Sequence, residues 1–152
     1  MATNASSRMS TALRVSVKAA ATLLWLTGCG WLIAHFFLQQ PNEFGIGPSP
    51  WESPLMTLHG IAAVGGVFLL GWIASRHIPE GWRQSRNRAT GLILTAASAV
   101  LALSGYALYY VTDDALHTAT ASIHELLGGC GIVIALLHWR YRRARASPTG
   151  DV

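Results

Sequence analysis

Four long stretches of the sequence contain no Lys, Arg or Asp, and this pattern constrains the fold more than any other feature. They cover residues 19–38, 54–75, 89–112 and 115–137, and Glu125 is the only Glu in them. Each stretch is near or above the roughly 20 residues that a helix needs to cross the hydrocarbon core of a bilayer. Only 12% of all residues are charged, against about 25% in an average soluble domain. The sequence therefore predicts an all-α integral membrane protein.

The four stretches predict one domain over residues 1–146, an up-down-up-down bundle of four helices. The predicted spans are about 15–38, 54–76, 89–112 and 116–139, and a polar tail follows at 147–152. The 11 Lys and Arg residues lie before the first span, between the second and third, and after the fourth. Because cationic residues concentrate in cytoplasmic loops, both termini are predicted to lie in the cytoplasm.

The net charge of +4 follows from this topology and is not a sign of nucleic-acid binding. The arginines adjoin span ends, and no soluble domain remains that could enter a nucleic-acid groove. Attraction to anionic lipid headgroups explains their position. We therefore expect membrane lipid, and no nucleic acid, among the partners.

The two cysteines, Cys29 and Cys130, lie inside predicted spans with glycines on both sides. Residues 26–29 resemble a bacterial lipoprotein cleavage box, but apolar sequence continues beyond them to Leu38, as a spanning helix requires. Small residues among glycines allow helices to approach closely. We expect both cysteines to be packing residues.

Six histidines are the chemically informative residues, because an ionisable group at membrane depth is costly and marks a candidate functional site. His124 and His138 are fourteen residues apart, which places them within about 40° of each other around a helix and about 21 Å apart along it. Gly131 lies midway on the same face and leaves room for a flat, large group. His117 lies two turns before His124 on that face.

In an antiparallel bundle, His59 on the second span lies at the depth of His124, and Gly66 follows it two turns later on the same face. Two opposed imidazoles with nearby glycines suit a bis-histidine haem b, because the iron takes two axial nitrogens and the macrocycle needs a slot. A zinc or copper site would take three or four N or S donors. Because His35 and His117 also lie in the outer half, such a site stays open.

This pattern resembles the four-helix haem-binding core of bacterial b-type cytochromes, the membrane subunits of hydrogenases and formate dehydrogenases and their stand-alone relatives. The resemblance covers all four spans and includes the short strings at residues 58–60, 104–108 and 123–128. It implies that His59 and His124 ligate an outer haem and that His138 ligates an inner one.

The first span departs from the family pattern, because Lys18 stands at the depth where the family has the second ligand of the inner haem. Three outcomes stay open: His77 reaches back from the inner end of the second span, Lys18 ligates, or only one haem binds. Interfacial or interhelical hydrogen bonding is the simpler role for His35, His77 and His117. We therefore expect one haem b at the outer site, with a second haem left open.

The resemblance implies a multi-pass b-type cytochrome of the bacterial inner membrane that transfers electrons between the quinone pool and a redox partner. That partner is expected to be periplasmic or part of a membrane complex. No catalytic residue is predicted, so an electron-transfer subunit is expected more than a complete enzyme, although direct action on quinone stays open. Glu125 is expected to face a quinone, a proton path or the lipid headgroups.

Two other classes of protein remain as alternatives. One is a haem-free membrane scaffold or assembly subunit that packs against partner helices through its glycine-rich faces. The other is a histidine-lined metal transporter, which the scarcity of acidic residues in the spans disfavours.

Overall fold

The computed structural model describes residues 10–43, 45–83 and 88–144, most of which are helical. The helices are α1 (Thr11–Phe37), α2 (Glu52–Arg83), α3 (Arg88–Ala107) and α4 (Asp114–Ala144). Each of the four is long and apolar enough to cross a membrane. The predicted all-α class and the four helices are thus confirmed for the described part of the chain. The polar tail predicted at 147–152 lies outside it.

Short polar side chains start α1 and α4. Ser10 precedes α1, and its hydroxyl accepts a hydrogen bond from the N–H of Leu13 at 3.2 Å. Asp113 precedes α4, and its carboxylate accepts from the N–H of Leu116 at 2.8 Å. The first N–H groups of a helix have no partner within it, so such caps stabilise the first turn. Both helix starts are therefore encoded locally.

A capping box starts α2. The N–H of Ser49 donates to Oε1 of Glu52 at 2.9 Å, and the Ser49 hydroxyl accepts from the N–H of Trp51 at 3.4 Å. This is the reciprocal pattern of a Ser-x-x-Glu sequence. The other end of α2 continues past residue 76, where we expected the span to end, and includes Pro79.

The connector between α1 and α2 forms a small hairpin. Strand β1 (Gln40–Asn42) pairs antiparallel with β2 (Gly45–Gly47), with Gln40 opposite Gly47. Gly45 has φ of 123°, a conformation that glycine adopts without a steric penalty. Strands of three residues carry no alternating apolar pattern, so the sequence offered little sign of them.

Helix α3 ends at Ala107, before the predicted span end at residue 112. The chain then turns: the N–H of Tyr109 donates to the carbonyl of Tyr106 at 3.2 Å, and that of Tyr110 to the carbonyl of Ala107 at 2.9 Å. The rings of Tyr106 and Tyr110 lie 4.7 Å apart. This aromatic turn leads directly into α4.

The helices pack as two antiparallel pairs. In the first pair, Gly30 of α1 lies against Leu55 of α2, whereas the earlier residue Leu24 lies against the later residue Gly66. Helices α3 and α4 pair in the same sense, through contacts described below. A hydrogen bond of 3.4 Å from the indole N–H of Trp25 to the carbonyl of Gly129 joins α1 to α4.

The buried positions of the bundle are held by small residues. Among the described residues the buried set is Thr27, Ala34, Gly47, Ser49, Ala62 and Ser104. None of the large side chains described is fully buried. Large apolar side chains instead point outward on all four helices. Two of the small buried residues, Thr27 and Ser104, belong to the site described next.

Candidate functional site

The structure brings His59 of α2 and His124 of α4 together near the centre of the bundle. Their ring centroids are 6.2 Å apart and their planes are inclined by 76°. Both side chains are half-buried. Two imidazoles on opposite sides of one metal ion, with metal–nitrogen bonds of about 2 Å, have centroids about 6 Å apart. The spacing is compatible with one metal centre between the two rings, and it is also that of a direct edge-to-face ring contact.

A buried hydroxyl on α1 holds His59. Oγ1 of Thr27 lies 2.9 Å from Nδ1 of His59, and Thr27 is only 3% exposed. The Thr27 hydroxyl donates its one proton to the carbonyl of Leu23 at 2.7 Å. A second carbonyl, that of Leu24, lies 3.1 Å from the same hydroxyl. With the hydroxyl proton on a carbonyl, its oxygen accepts from His59, and this assignment puts the imidazole proton on Nδ1 and the lone pair on Nε2.

A buried hydroxyl on α3 holds His124 in the same way. Oγ of Ser104 lies 2.9 Å from Nδ1 of His124 and donates to the carbonyl of Leu101 at 3.2 Å. With the Ser104 proton likewise on the carbonyl, the His124 proton is assigned to Nδ1. The hydrogen bonds to Thr27 and Ser104 are both made at Nδ1 of the ring. Both are then in the tautomer whose Nε2 can bind a metal.

A glycine follows each of these hydroxyl residues and contacts the same ring. A Cβ atom built on Gly28 would lie 3.3 Å from Cε1 of His59, and one built on Gly105 would lie 3.1 Å from Cε1 of His124. Both distances are shorter than ordinary carbon–carbon contact. Each ring thus rests on bare backbone, and a side chain at either glycine would displace it.

The sequence reading did not identify these hydroxyl–glycine pairs. Within the four apolar stretches, Ser or Thr directly precedes Gly at three places. The pairs are Thr27–Gly28, Thr90–Gly91 and Ser104–Gly105. Each of them carries a histidine of the neighbouring helix, so the recurrence of this dipeptide in spans that also contain histidines was the available signal.

The third pair carries His138, for which the resemblance implies an inner haem. Nδ1 of His138 lies 3.1 Å from Oγ1 of Thr90, and a Cβ built on Gly91 would lie 3.8 Å from its Cε1. The backbone of His77 belongs to α2, but its side chain lies outside the described residues. Lys18 is exposed on α1. The arrangement around His138 therefore repeats the other two, while the identity of a second inner ligand stays a prediction.

The two glycines predicted to make room for a flat group differ. A Cβ built on Gly131 would meet nothing within 4 Å, whereas one built on Gly66 would lie 3.1 Å from Cδ1 of Leu24. A flat group has free space beside Gly131. Beside Gly66 the Leu24 side chain has to turn away before such a group can use the glycine surface.

His35 and His117 have different surroundings from those of His59 and His124. Nδ1 of His35 lies 3.2 Å from Oε2 of Glu52, and its ring stacks on Trp31 with centroids 4.7 Å apart. This interhelical contact matches the hydrogen-bonding role expected for His35. His117 is exposed at the start of α4. Neither residue belongs to the His59–His124 centre.

Glu125 lies on a groove between α1 and α4. The groove has a volume of about 460 Å³ and is lined by Leu32, Ile33, Phe36, Phe37, Ser122, Glu125 and Leu126. Glu125 is the only ionisable residue among these. The groove is thus an apolar surface with one carboxyl group, in the residue next to His124.

The donor set at the centre decides which metal group it fits. Among the described residues, no cluster of three or more His, Cys, Asp or Glu side chains is placed to hold a metal ion. Two imidazoles fall short of the three or four protein donors of a zinc or copper site. Haem iron needs only two axial ligands from the protein. The number and type of donors present, His59 and His124, therefore match what haem iron would need.

The fold and this site define a helical protein with a paired-histidine centre. Comparisons of the chain with protein-family models, curated proteins and solved structures found no match. The functional conclusion therefore comes from the chemistry of the residues themselves.

Proposed function

We propose that the protein is a b-type cytochrome of the bacterial inner membrane that transfers electrons between the quinone pool and a redox partner. Its four helices cross the bilayer up-down-up-down, with both termini in the cytoplasm. The observation that carries the proposal is the His59–His124 pair, with rings 6.2 Å apart and each Nδ1 bonded to a buried hydroxyl. A cytochrome needs two such opposed imidazoles with free Nε2 atoms.

The outer surface of the bundle supports the membrane location. Phe68 is 69% exposed, and Leu103 and Leu126 are each 70% exposed, on three different helices. Exposed apolar surface costs about 25 cal/mol per Å² in water, and contiguous patches of it mark surfaces that face lipid or other proteins. Lipid on all sides removes this cost. The cationic residues at the predicted inner ends add the orientation.

Haem, when bound, supplies a one-electron couple whose potential depends on its ligands and surroundings. The chain's own part is to hold His59 and His124 in the metal-binding tautomer and to keep the centre away from water. The buried hydroxyls of Thr27 and Ser104 do the first. The apolar helices around them do the second and lower the local dielectric.

We place the quinone in the groove between α1 and α4. Its volume of about 460 Å³ falls within the range of about 300–1,000 Å³ that small-molecule sites occupy. Its apolar lining suits the ring and tail of a membrane quinone. Glu125 is the one group there that could accept a quinol proton.

A haem-free membrane scaffold is the second candidate, and glycine surfaces favour it. A Cβ built on Gly65, Gly71 or Gly129 would meet nothing within 4 Å. Bare backbone on an outer helix face lets a partner helix approach closely. In that case the histidines would serve only as hydrogen-bonding residues between the helices.

A reduced-minus-oxidised optical spectrum of detergent-purified protein, with a pyridine haemochrome assay, separates these candidates. We expect a bis-histidine haem b spectrum and at least one haem per chain, which His59→Ala and His124→Ala each abolish at the outer site. His117→Ala on the same helix is the matched control and should retain haem. Two haems per chain would assign the second to His138. A protein without haem would overturn the proposal and leave the scaffold.

A further inference from the structure

Helices α1 and α3 each hold a histidine of a neighbouring helix, and they do so by the same chain of hydrogen bonds. In each, a buried hydroxyl lies within hydrogen-bond distance of a backbone carbonyl and of an imidazole Nδ1; with the hydroxyl proton on the carbonyl, the imidazole donates from Nδ1. The carbonyl–hydroxyl distances are 2.7 Å for Thr27 and 3.2 Å for Ser104. Both hydroxyl–imidazole distances are 2.9 Å.

These chains differ from the ordinary hydroxyl bonds of the bundle. Ser98 on α3 also donates to a carbonyl of its own helix, that of Leu94, at 2.8 Å, but within the described residues its oxygen accepts no bond from an imidazole. A hydroxyl in a helix commonly bonds the carbonyl four residues earlier. The additional bond to the histidine, together with burial, is what distinguishes Thr27 and Ser104.

We propose that Thr27 and Ser104 are positioning residues that hold both imidazoles as Nδ1–H tautomers and lower the reduction potential of the centre that His59 and His124 ligate. This inference rests on the proposed function and goes beyond it, because it assigns roles to two residues that do not touch the iron. The neighbouring glycines, Gly28 and Gly105, let the rings lie close enough for these bonds to form.

The direction of the effect follows from the hydrogen bonds. An acceptor at Nδ1–H draws the proton away from the ring and makes Nε2 a more basic ligand. A more basic ligand stabilises ferric iron more than ferrous iron, so the potential falls. Removing either hydroxyl should therefore make the centre easier to reduce.

The size follows from the energy of one hydrogen bond, about 1 kcal/mol. Only the difference in this energy between the ferric and ferrous protein moves the potential, so losing the bond should change the ratio of oxidised to reduced protein at a given ambient potential by at most about fivefold. This corresponds to a rise of at most about 40 mV, because a tenfold change equals 59 mV for one electron. Removing both hydroxyls should give close to the sum of the two shifts.

Potentiometric titration of the full-length haem protein in detergent tests the effect on potential. Thr27→Val and Ser104→Ala should each raise the midpoint potential, whereas Thr27→Ser and Ser104→Thr, which keep the hydroxyl, should restore the wild-type value. Ser98→Ala is the matched control and should leave it unchanged. An unaltered or lowered potential in Thr27→Val and Ser104→Ala, or equal shifts in the hydroxyl-retaining variants, would overturn the proposal.

A second measurement does not depend on haem. Nitrogen-15 NMR of the histidine-labelled full-length chain, prepared without haem, reports which ring nitrogen carries the proton. We expect Nδ1–H for His59 and His124, and a mixture of tautomers for His59 in Thr27→Val and for His124 in Ser104→Ala. A chain that never binds haem would refute the proposed function, while this result would still support or overturn the tautomer assignment.

Discussion

Replacing Gly105 by Ala tests how closely the backbone of α3 supports His124, a proposed haem ligand. The new methyl group would lie 3.1 Å from Cε1 and 3.6 Å from Nδ1 of His124. Carbon atoms in ordinary contact lie about 3.5–4.0 Å apart, so the ring has to move by about 0.5 Å. Metal–ligand distances tolerate only about 0.2 Å. The displaced imidazole therefore cannot keep ideal geometry in both its bond to the metal and its hydrogen bond to Ser104.

We expect Gly105→Ala to weaken haem binding about tenfold, the lower end of the effect of changes around a metal ligand. This equals about 1.4 kcal/mol of binding free energy. At Gly28 the corresponding distance to His59 is 3.3 Å, so Gly28→Ala should cost less. The assay is haem titration of haem-free protein, followed by absorbance, with circular dichroism to check that the helices persist.

Gly65→Ala on α2 is the control, because a Cβ there would meet nothing within 4 Å. Alanine also favours a helix over glycine by about 1 kcal/mol, so the control should be at least as stable as the wild type. Equal haem affinity in Gly105→Ala and Gly65→Ala would show that His124 does not rest on the backbone of α3. A larger loss in Gly28→Ala than in Gly105→Ala would contradict the distances.

Three further predictions follow from other contacts. Glu52→Ala removes both the α2 cap and the contact to His35, so the melting temperature followed by circular dichroism should fall, whereas an unchanged value would show that the cap contributes nothing. Glu125→Gln should slow haem reduction by quinol about a hundredfold and leave reduction by dithionite unchanged; equal slowing of both would argue against a quinone role. Thr90→Val should leave the potential of the haem proposed between His59 and His124 unaltered, because His138 lies about 21 Å further along α4, and a shift on titration would refute this separation.

Much of the helix content was predictable because it depends on local information. The runs of apolar residues and the clusters of arginine mark the helices, and Ser10 and Asp113 cap α1 and α4 within one turn of chain. The end of α3 was predicted less well. The apolar and aromatic residues after Ala107 fit a span and a turn equally well, so composition could not separate the two.

The site was predictable only in part. The interval from His124 to His138 and the depth of His59 could be counted along ideal helices, and these counts brought the right two rings together. Thr27 and Gly28 drew attention only as part of a possible lipoprotein cleavage box. A helical count says which residues share a face, but it does not say which face meets which neighbour.

The sequence by itself determined that four apolar helices form and that histidines lie at two depths among them, because hydropathy and helical period act along the chain. Only the tertiary structure decided which hydroxyl holds which imidazole. Thr27 and His59 are 32 residues apart, and Ser104 and His124 are 20 apart. Bonds of 2.9 Å between separate helices depend on how far each helix is rotated about its axis, and at Gly28 and Gly105 the close approach of the histidine rings restricts that rotation.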